Sequence, residues 1–213
     1  MAEFSLELLH HLWPHGNQHI AGLVEGIASA APEVFIKYGT TSPLVIAHMF
    51  AQFSEECGAG LEMVENMNYS AEGLLRTFPR HFTGSMAQRY AHNPRMIADI
   101  AYGGRMGNAP PPSDDGWNYR GQGLSQVTGK DGYQKLQHLL AEKGATFNIL
   151  EEPELIIDPR YTLECGVADY ILCGCLPHAE ADDLIGETRA LNGGLNGLDV
   201  RRHWLGVWKA AML

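Results

Sequence analysis

Two glutamates have the type and spacing to act together on one substrate. Glu56 comes at the end of an apolar segment, and Glu65 stands nine residues beyond it. On an unbroken helix nine residues would separate them by a rise of ~13.5 Å, so Gly58 and Gly60 must let the chain turn back. A protonated carboxyl and an ionised carboxylate are the pair that hydrolyses a glycosidic bond by direct attack of water.

Spacing alone does not single out this pair, because the chain has 25 Asp and Glu residues and most carboxylates are solvated surface groups. Glu55 directly precedes Glu56. A like charge so close would raise the affinity of a carboxyl for its proton, which a general acid requires near neutral pH. One residue round a helix, Glu55 could equally point away into solvent.

Apolar residues recur at helical spacing through much of the chain, which predicts a mainly α-helical protein. Strand signals are short, and the best of them, at residues 61–69, predicts at most a small hairpin or sheet. Glycine and proline clusters at 103–104, 108–116, 121–123 and 192–197 mark loops. The predicted helical segments are Phe4–Trp13, Ile20–Ala31, Pro43–Phe53, Pro94–Tyr102, Tyr133–Ala141, Tyr161–Cys173 and Val200–Met212.

The length of 213 residues predicts one domain, 1–213, with an N-terminal helical part at 1–42 and the remainder at 43–213. The formal net charge is −10, which argues against a nucleic-acid-binding protein. The longest apolar stretches are too short and too interrupted by polar residues to span a bilayer. We therefore expect no nucleic-acid partner and no insertion into a membrane.

Two groups of side chains have the donor types of a metal site. The first is the set of histidines at positions 10, 11, 15 and 19, but Pro14 and Gly16 interrupt the helix that would align them. The second is the set of cysteines at 165, 173 and 175 with His178, whose spacing is uncommon for zinc. Surface histidines and buried thiols explain both groups more simply. We predict no metal and no organic cofactor.

Four pieces of the sequence, in this order along the chain, carry a resemblance to a known family. They are ENMNYSAEGL at 65–74, AYGGRMGN at 101–108, DGWNYRGQGLSQVTGKDGY at 115–133 and LNGGLNGL at 191–198. Together they resemble glycoside hydrolase family 19, which contains chitinases and phage endolysins. The endolysin branch fits best.

The resemblance implies that Glu56 is the general acid and Glu65 the general base, since bacterial members carry two glutamates at the same spacing. Around the acid, this sequence has Glu55, Glu56 and Cys57 where the family usually shows His, Glu and a hydroxyl residue. This difference leaves Glu55 and Glu56 as candidates for the acid. Glu56 is favoured, because it lies nine residues before Glu65, the spacing that the bacterial members show.

The resemblance also implies a set of substrate-binding residues. Residues 119–128 correspond to a groove segment of the family, whose glycines allow the backbone to approach a sugar closely. Gln126 matches a substrate-binding glutamine, and Thr128 matches a hydroxyl that positions the attacking water. Asn192 matches a sugar-facing asparagine, and Arg201 an arginine that orders the carboxylates. The predicted binding set is Tyr119, Gln126, Thr128, Asn192 and Arg201.

The implied fold is a lysozyme-like, bilobal helical domain with a groove between its lobes. The implied activity is inverting hydrolysis of β-1,4 bonds between amino sugars of peptidoglycan by a monomeric phage or prophage endolysin. The first residues lack the features of a signal peptide, so we expect the protein to stay in the cytoplasm until another protein permeabilises the membrane. Two alternatives stay open: a chitinase with the same site, and a non-catalytic groove that binds glycan.

Overall fold

The computed structural model describes residues 4–213 and shows the mainly helical fold that the sequence predicts. Two 3₁₀ helices, Gly58–Gly60 and Pro153–Ile157, accompany the α-helices. No helix within residues 4–213 is both long and apolar enough to cross a membrane. In chain order the α-helices are α1 (Leu6–Leu12), α2 (Leu23–Tyr38), α3 (Pro43–Glu56), α4 (Ala71–Thr77), α5 (Gly84–Tyr90), α6 (Pro94–Tyr102), α7 (Asp115–Asn118), α8 (Lys130–Glu142), α9 (Thr162–Leu172), α10 (Leu176–Glu180), α11 (Leu184–Asn192) and α12 (Leu198–Met212).

Each helical segment predicted from periodicity overlaps one α-helix, namely α1, α2, α3, α6, α8, α9 or α12. The longest of them, α2, continues to Tyr38 although Pro32 lies inside it. It ends at Gly39, whose φ of 71° is a left-handed conformation that favours glycine. The helices that periodicity missed have between four and nine residues, too few turns for a repeating apolar pattern to stand out.

The larger hydrophobic core is built around α3. Every residue from Val45 to Ser54 is buried, as expected of a helix that is surrounded by protein. The ring of Phe50 packs against Trp13, Phe53 and Trp208 at centroid distances of 5.7, 5.7 and 5.0 Å. Helix α12 packs along α3, while α2 and α8 pack against α9.

A smaller hydrophobic core lies between residues 67 and 101. Here α4 packs against α5, and α6 packs against α7. Its buried apolar residues are Met67, Leu74, Phe82, Ala87, Ile97, Ala98 and Ala101. The two cores give the bilobal architecture that the family resemblance implies.

Strand pairing within the described residues is limited to isolated bridges. Val64 pairs antiparallel with Gln122, and Gln122 pairs antiparallel with Val127. The amide of Glu65 also donates to the carbonyl of Gly121 at 2.8 Å. The segment predicted as a strand at 61–69 therefore makes one strand-like contact instead of a hairpin of its own. That contact fixes the backbone of Glu65.

Candidate active site

Glu56 is the last residue of α3, and the backbone turns sharply after it. Gly58, Ala59 and Gly60 have φ values of 55°, 54° and 91°. Glycine adopts such left-handed conformations without strain. A Cβ atom at Gly60 would also lie 2.9 Å from the Cα of Gly16. The turn ends α3 at Glu56 and lets the following segment fold back, as the glycines predict.

A buried arginine holds two adjacent glutamates. Arg201 lies near the start of α12 with 2% of its side chain exposed, and its Nη2 lies 2.5 Å from Glu55 and 2.6 Å from Glu56. Its Nη1 donates to Gln52 at 2.6 Å, and its Nε donates to the carbonyl of Asn196 at 3.1 Å. Charge-assisted hydrogen bonds of this kind are strong and directional. Arg201 is therefore fixed by its other acceptors and in turn orients both carboxylates.

Glu65 is held by donors from two separate segments. Tyr102, at the end of α6, donates its hydroxyl to Glu65 Oε1 at 2.7 Å. The amide of Gly121 lies 3.3 Å from Glu65 Oε2. Burial raises the pKa of Tyr102 above its ordinary value, and its hydrogen bond to Glu65 raises it further. The phenol therefore remains a donor, and the two contacts fix the direction of the Glu65 carboxylate.

Glu56 and Glu65 line the same cavity, which we call the catalytic cavity. Its volume is about 480 Å³, within the range of ~300–1,000 Å³ that is usual for ligand sites. Glu55 instead lines an adjoining cavity. The other residues that line the catalytic cavity are Leu61, Glu62, Val64, Asn66, Tyr69 and Gln126.

The side chains of Gln126 and Thr128 lie close to Glu65, and all three surround Gly121. A Cβ atom at Gly121 would lie 3.1 Å from Gln126 Oε1, 3.2 Å from Thr128 Oγ1 and 3.4 Å from Glu65 Cβ. Thr128 donates its hydroxyl to the carbonyl of Gln126 at 2.9 Å. Because Gly121 has no side chain, these three groups can approach one another. The structure thus brings Gln126 and Thr128 together with the predicted base.

Tyr119 is a core residue and does not line the catalytic cavity. It is 5% exposed, and its ring packs on Tyr133 with a centroid distance of 5.1 Å. Its hydroxyl donates to the carbonyl of Leu150 at 3.0 Å. Both the ring and the hydroxyl of Tyr119 are engaged inside the protein, and the substrate contact that the resemblance implies for it stays a prediction.

Asn192, the last residue of α11, makes its contacts within the loop that follows. Its side-chain nitrogen donates to the carbonyl of Asn196 at 3.1 Å, and its oxygen accepts from the amide of Gly194 at 2.9 Å. The Asn196 carbonyl is also the acceptor for Arg201 Nε. Asn192 therefore supports the loop that holds Arg201. The sugar contact that the resemblance implies for it stays a prediction.

Sequence reasoning missed a buried polar network on the same helix as Glu56. His48 places Nδ1 2.7 Å from Glu187 and Nε2 2.7 Å from Asp182. An ionised carboxylate only accepts hydrogen bonds, so with Glu187 and Asp182 both ionised each ring nitrogen donates, which is the cationic form of the imidazole. Burial lowers the pKa of His48, but Glu187 and Asp182 outweigh burial and leave the pKa above its ordinary value. The spacing of four between His48, Gln52 and Glu56 is the signal that could have revealed the network.

The cysteines of the described chain are packed side chains. Cys57, Cys165 and Cys175 are buried. Burial raises the pKa of the Cys57 thiol to about 12, so the reactive thiolate is absent near neutral pH. Among residues 4–213, no group of three or more His, Cys, Asp and Glu side chains is placed to hold a metal ion.

Comparisons with known proteins identify relatives of this chain, although no family model matches it. A protein of Haemophilus influenzae described as a glycosyl hydrolase family 19 domain-containing protein is 36% identical over 180 residues, which span 84% of this chain and 85% of the relative. The crystal structure of chitinase C from Streptomyces griseus is similar with a TM-score of 0.60 and 17% identity, covering 98% of this chain and 92% of that one. A bacterial family 19 chitinase has a TM-score of 0.63 and 16% identity, with coverage of 98% and 94%.

The bilobal helical fold and the family of the Haemophilus influenzae relative define a lysozyme-like glycoside hydrolase. At their low identity the solved chitinases establish the fold, and the Haemophilus influenzae relative establishes the family. The chain belongs to glycoside hydrolase family 19.

Proposed function

We propose that this protein is an endolysin that hydrolyses β-1,4 bonds between N-acetylated amino sugars of bacterial peptidoglycan. The observation that carries the proposal is the single cavity lined by both Glu56 and Glu65. Inverting hydrolysis requires two carboxyl groups that face one substrate with room for a water. The proposed place of action is the cell wall, which the protein would reach after the membrane is permeabilised.

In this proposal Glu56 donates its proton to the leaving glycosidic oxygen, and Arg201 keeps the Glu56 carboxyl oriented toward it. Glu65 accepts a proton from water as the water attacks the sugar carbon. Tyr102 holds the Glu65 carboxylate in the direction of attack. The hydroxyl of Thr128, next to Glu65 across Gly121, positions the water.

Two polymers fit such a site, and different observations favour them. Peptidoglycan is favoured by the four pieces at 65–74, 101–108, 115–133 and 191–198, whose resemblance to the family fits its endolysin branch best. Chitin is favoured by the likeness in fold to two proteins that are named as chitinases. Both polymers contain β-1,4-linked N-acetylated amino sugars, so the shared chemistry is the core of the proposal.

Digestion of purified wall sacculi and, separately, of chitin oligomers separates these candidates. The products are reduced with borohydride, and the new reducing-end sugar is identified by mass spectrometry. We expect the protein to release wall fragments and Glu56→Gln to lose a factor of about 10²–10⁴ in turnover, because an amide cannot donate the proton. The exposed Glu72 supplies a matched control, and Glu72→Gln should keep the full rate.

Other outcomes of this digestion would favour one of the alternative functions. Cleavage of chitin with intact sacculi would favour the chitinase. Binding to both polymers without cleavage of either would support a non-catalytic groove and overturn the proposal.

A further inference from the structure

A second cavity, of about 440 Å³, adjoins the catalytic cavity. Leu61 lies in the wall of both cavities. Glu56 lines the catalytic cavity and its chain neighbour Glu55 lines the second one, so the end of α3 separates the two spaces. We call this space the Trp204 cavity, after the indole that α12 contributes to it.

The walls of the Trp204 cavity come from four separate parts of the fold. They are residues 12–15 at the end of α1, Ser54 and Glu55 at the end of α3, the turn at 58–61, and α12 through Val200 and Trp204. Val200 is 49% exposed, and Trp204 is partly buried against the larger core. The cavity is therefore open to solvent while its frame belongs to packed helices.

The chemistry of the Trp204 cavity suits an N-acetylated amino sugar. Its lining is mostly apolar, and an indole offers a flat surface for the C–H face of a sugar ring or for an acetamido methyl group. The Glu55 carboxylate, with 23% of its side chain exposed, provides an acceptor for a sugar hydroxyl or an amide N–H. An apolar space with a few oriented polar groups is typical of small-molecule sites, and its volume is in the usual range.

We propose that the Trp204 cavity is a further subsite, which binds an N-acetylated amino sugar of the same glycan outside the pair of sugars that is cleaved. This inference rests on the proposed function, since it assumes that the catalytic cavity takes a polymer of such sugars. Because Leu61 lines both cavities, the two spaces are neighbours, and a glycan that extends past the end of α3 would reach the second one. Long substrates would then gain a contact that short ones cannot reach.

The test fills the cavity and varies the length of the ligand. Val200→Trp places a large side chain at an exposed helical position of the cavity wall, so no core contact is removed. The matched control is Ile185→Trp, since Ile185 on α11 is a similarly exposed aliphatic residue, at 43%, outside the cavity. Both changes are made in the full chain carrying Glu56→Gln. Binding of chito-oligosaccharides of two to six N-acetylglucosamine units is measured by calorimetry.

We expect Val200→Trp to weaken binding of the hexamer about tenfold, because the hexamer loses the packing of one sugar ring in the cavity. Binding of the dimer should stay unchanged. Ile185→Trp should change neither. In ¹⁵N-tryptophan-labelled protein, the indole N–H signal of Trp204 should move with the hexamer and stay in place with the dimer.

Equal affinity of the hexamer for Val200→Trp and its parent would overturn the subsite. Equal weakening of the dimer and hexamer would also overturn it, because the change would then act through Arg201 on the catalytic cavity. Failure of the proposed function shows separately, as a lack of hydrolysis by the unmodified protein, while the binding comparison still reports on the Trp204 cavity.

Discussion

One nitrogen of Arg201, Nη2, contacts the carboxylates of both Glu55 and Glu56. The surroundings of each carboxylate indicate which of the two is suited to be the proposed acid. Glu56 faces the catalytic cavity and Glu55 faces the Trp204 cavity. Burial raises the pKa of Glu55, while Arg201 opposes that shift. The structure thus gives the neighbours different surroundings, and the position of Glu56 agrees with the count back from Glu65.

Replacing Glu55 tests this division of roles. In Glu55→Gln, Arg201 pairs with Glu56 alone and a neighbouring negative charge is removed, so the ionised form of Glu56 is favoured. We expect the basic limb of the pH profile of kcat/KM to move to lower pH, while the maximal rate falls by less than about tenfold. Steady-state rates across pH, with Glu72→Gln as control, measure this. Abolished activity in Glu55→Gln with a spared Glu56→Gln would assign the acid to Glu55.

Helix α3 combines a continuous buried run from Val45 to Ser54 with a line of polar side chains at intervals of four. His48 pairs with Glu187, Gln52 with Arg201, and Glu56 ends the helix at the cavity. The same helix therefore carries the core and fixes the position of Glu56, the proposed acid. A shift of α3 along its axis would move Glu56 and break the polar contacts together.

The His48 network predicts a pH-dependent stability. Because the pKa of His48 is higher in the folded than in the unfolded chain, its contribution is complete below about pH 6.5 and is lost as pH rises through the folded value. We expect His48→Gln to lower the free energy of unfolding by roughly 3–5 kcal/mol at pH 6, since buried Glu187 loses its cationic partner. The difference from the unmodified protein should shrink by pH 9. Urea unfolding at both pH values measures it.

The exposed His203 supplies the control for that experiment. His203→Gln should leave the free energy of unfolding unchanged at both pH values. A constant difference between His48→Gln and the unmodified protein across this range would contradict a cationic His48.

The sequence predicts the long helices because their apolar residues repeat over several turns. It also predicts the turn after Glu56, because glycine is the residue that left-handed backbone favours. The burial of Tyr119 could not be predicted, because a family motif aligns positions without showing whether a side chain faces the groove or the core. The sequence does not predict the His48 network, because Glu187 and Asp182 are far from His48 in the chain and only the folding of the segment around α11 onto α3 brings them together.

The two glutamates depend on different parts of the fold. Glu56 is held by α3 and α12 of the larger core. Glu65 is held by Tyr102 at the end of α6, which belongs to the smaller core, and by the loop at Gly121. The distance between the two carboxyl groups is therefore set by how the lobes are joined. The segment from 57 to 65 is the direct link along the chain.

This arrangement leads to a prediction about stereochemistry. Carboxyl groups about 5–5.5 Å apart allow direct attack on the sugar and retain its configuration, whereas a gap of roughly 6.5–9.5 Å leaves room for a water and inverts it. Anchoring of Glu56 and Glu65 to different elements, in the walls of a cavity of about 480 Å³, favours the wider gap. We therefore expect the α-anomer as the first product from a β-linked substrate, with Glu65 activating the water. Proton NMR of the earliest product, recorded before mutarotation, measures this. An initial β-anomer, or a trapped glycosyl ester on Glu65, would establish a retaining mechanism and make Glu65 a nucleophile.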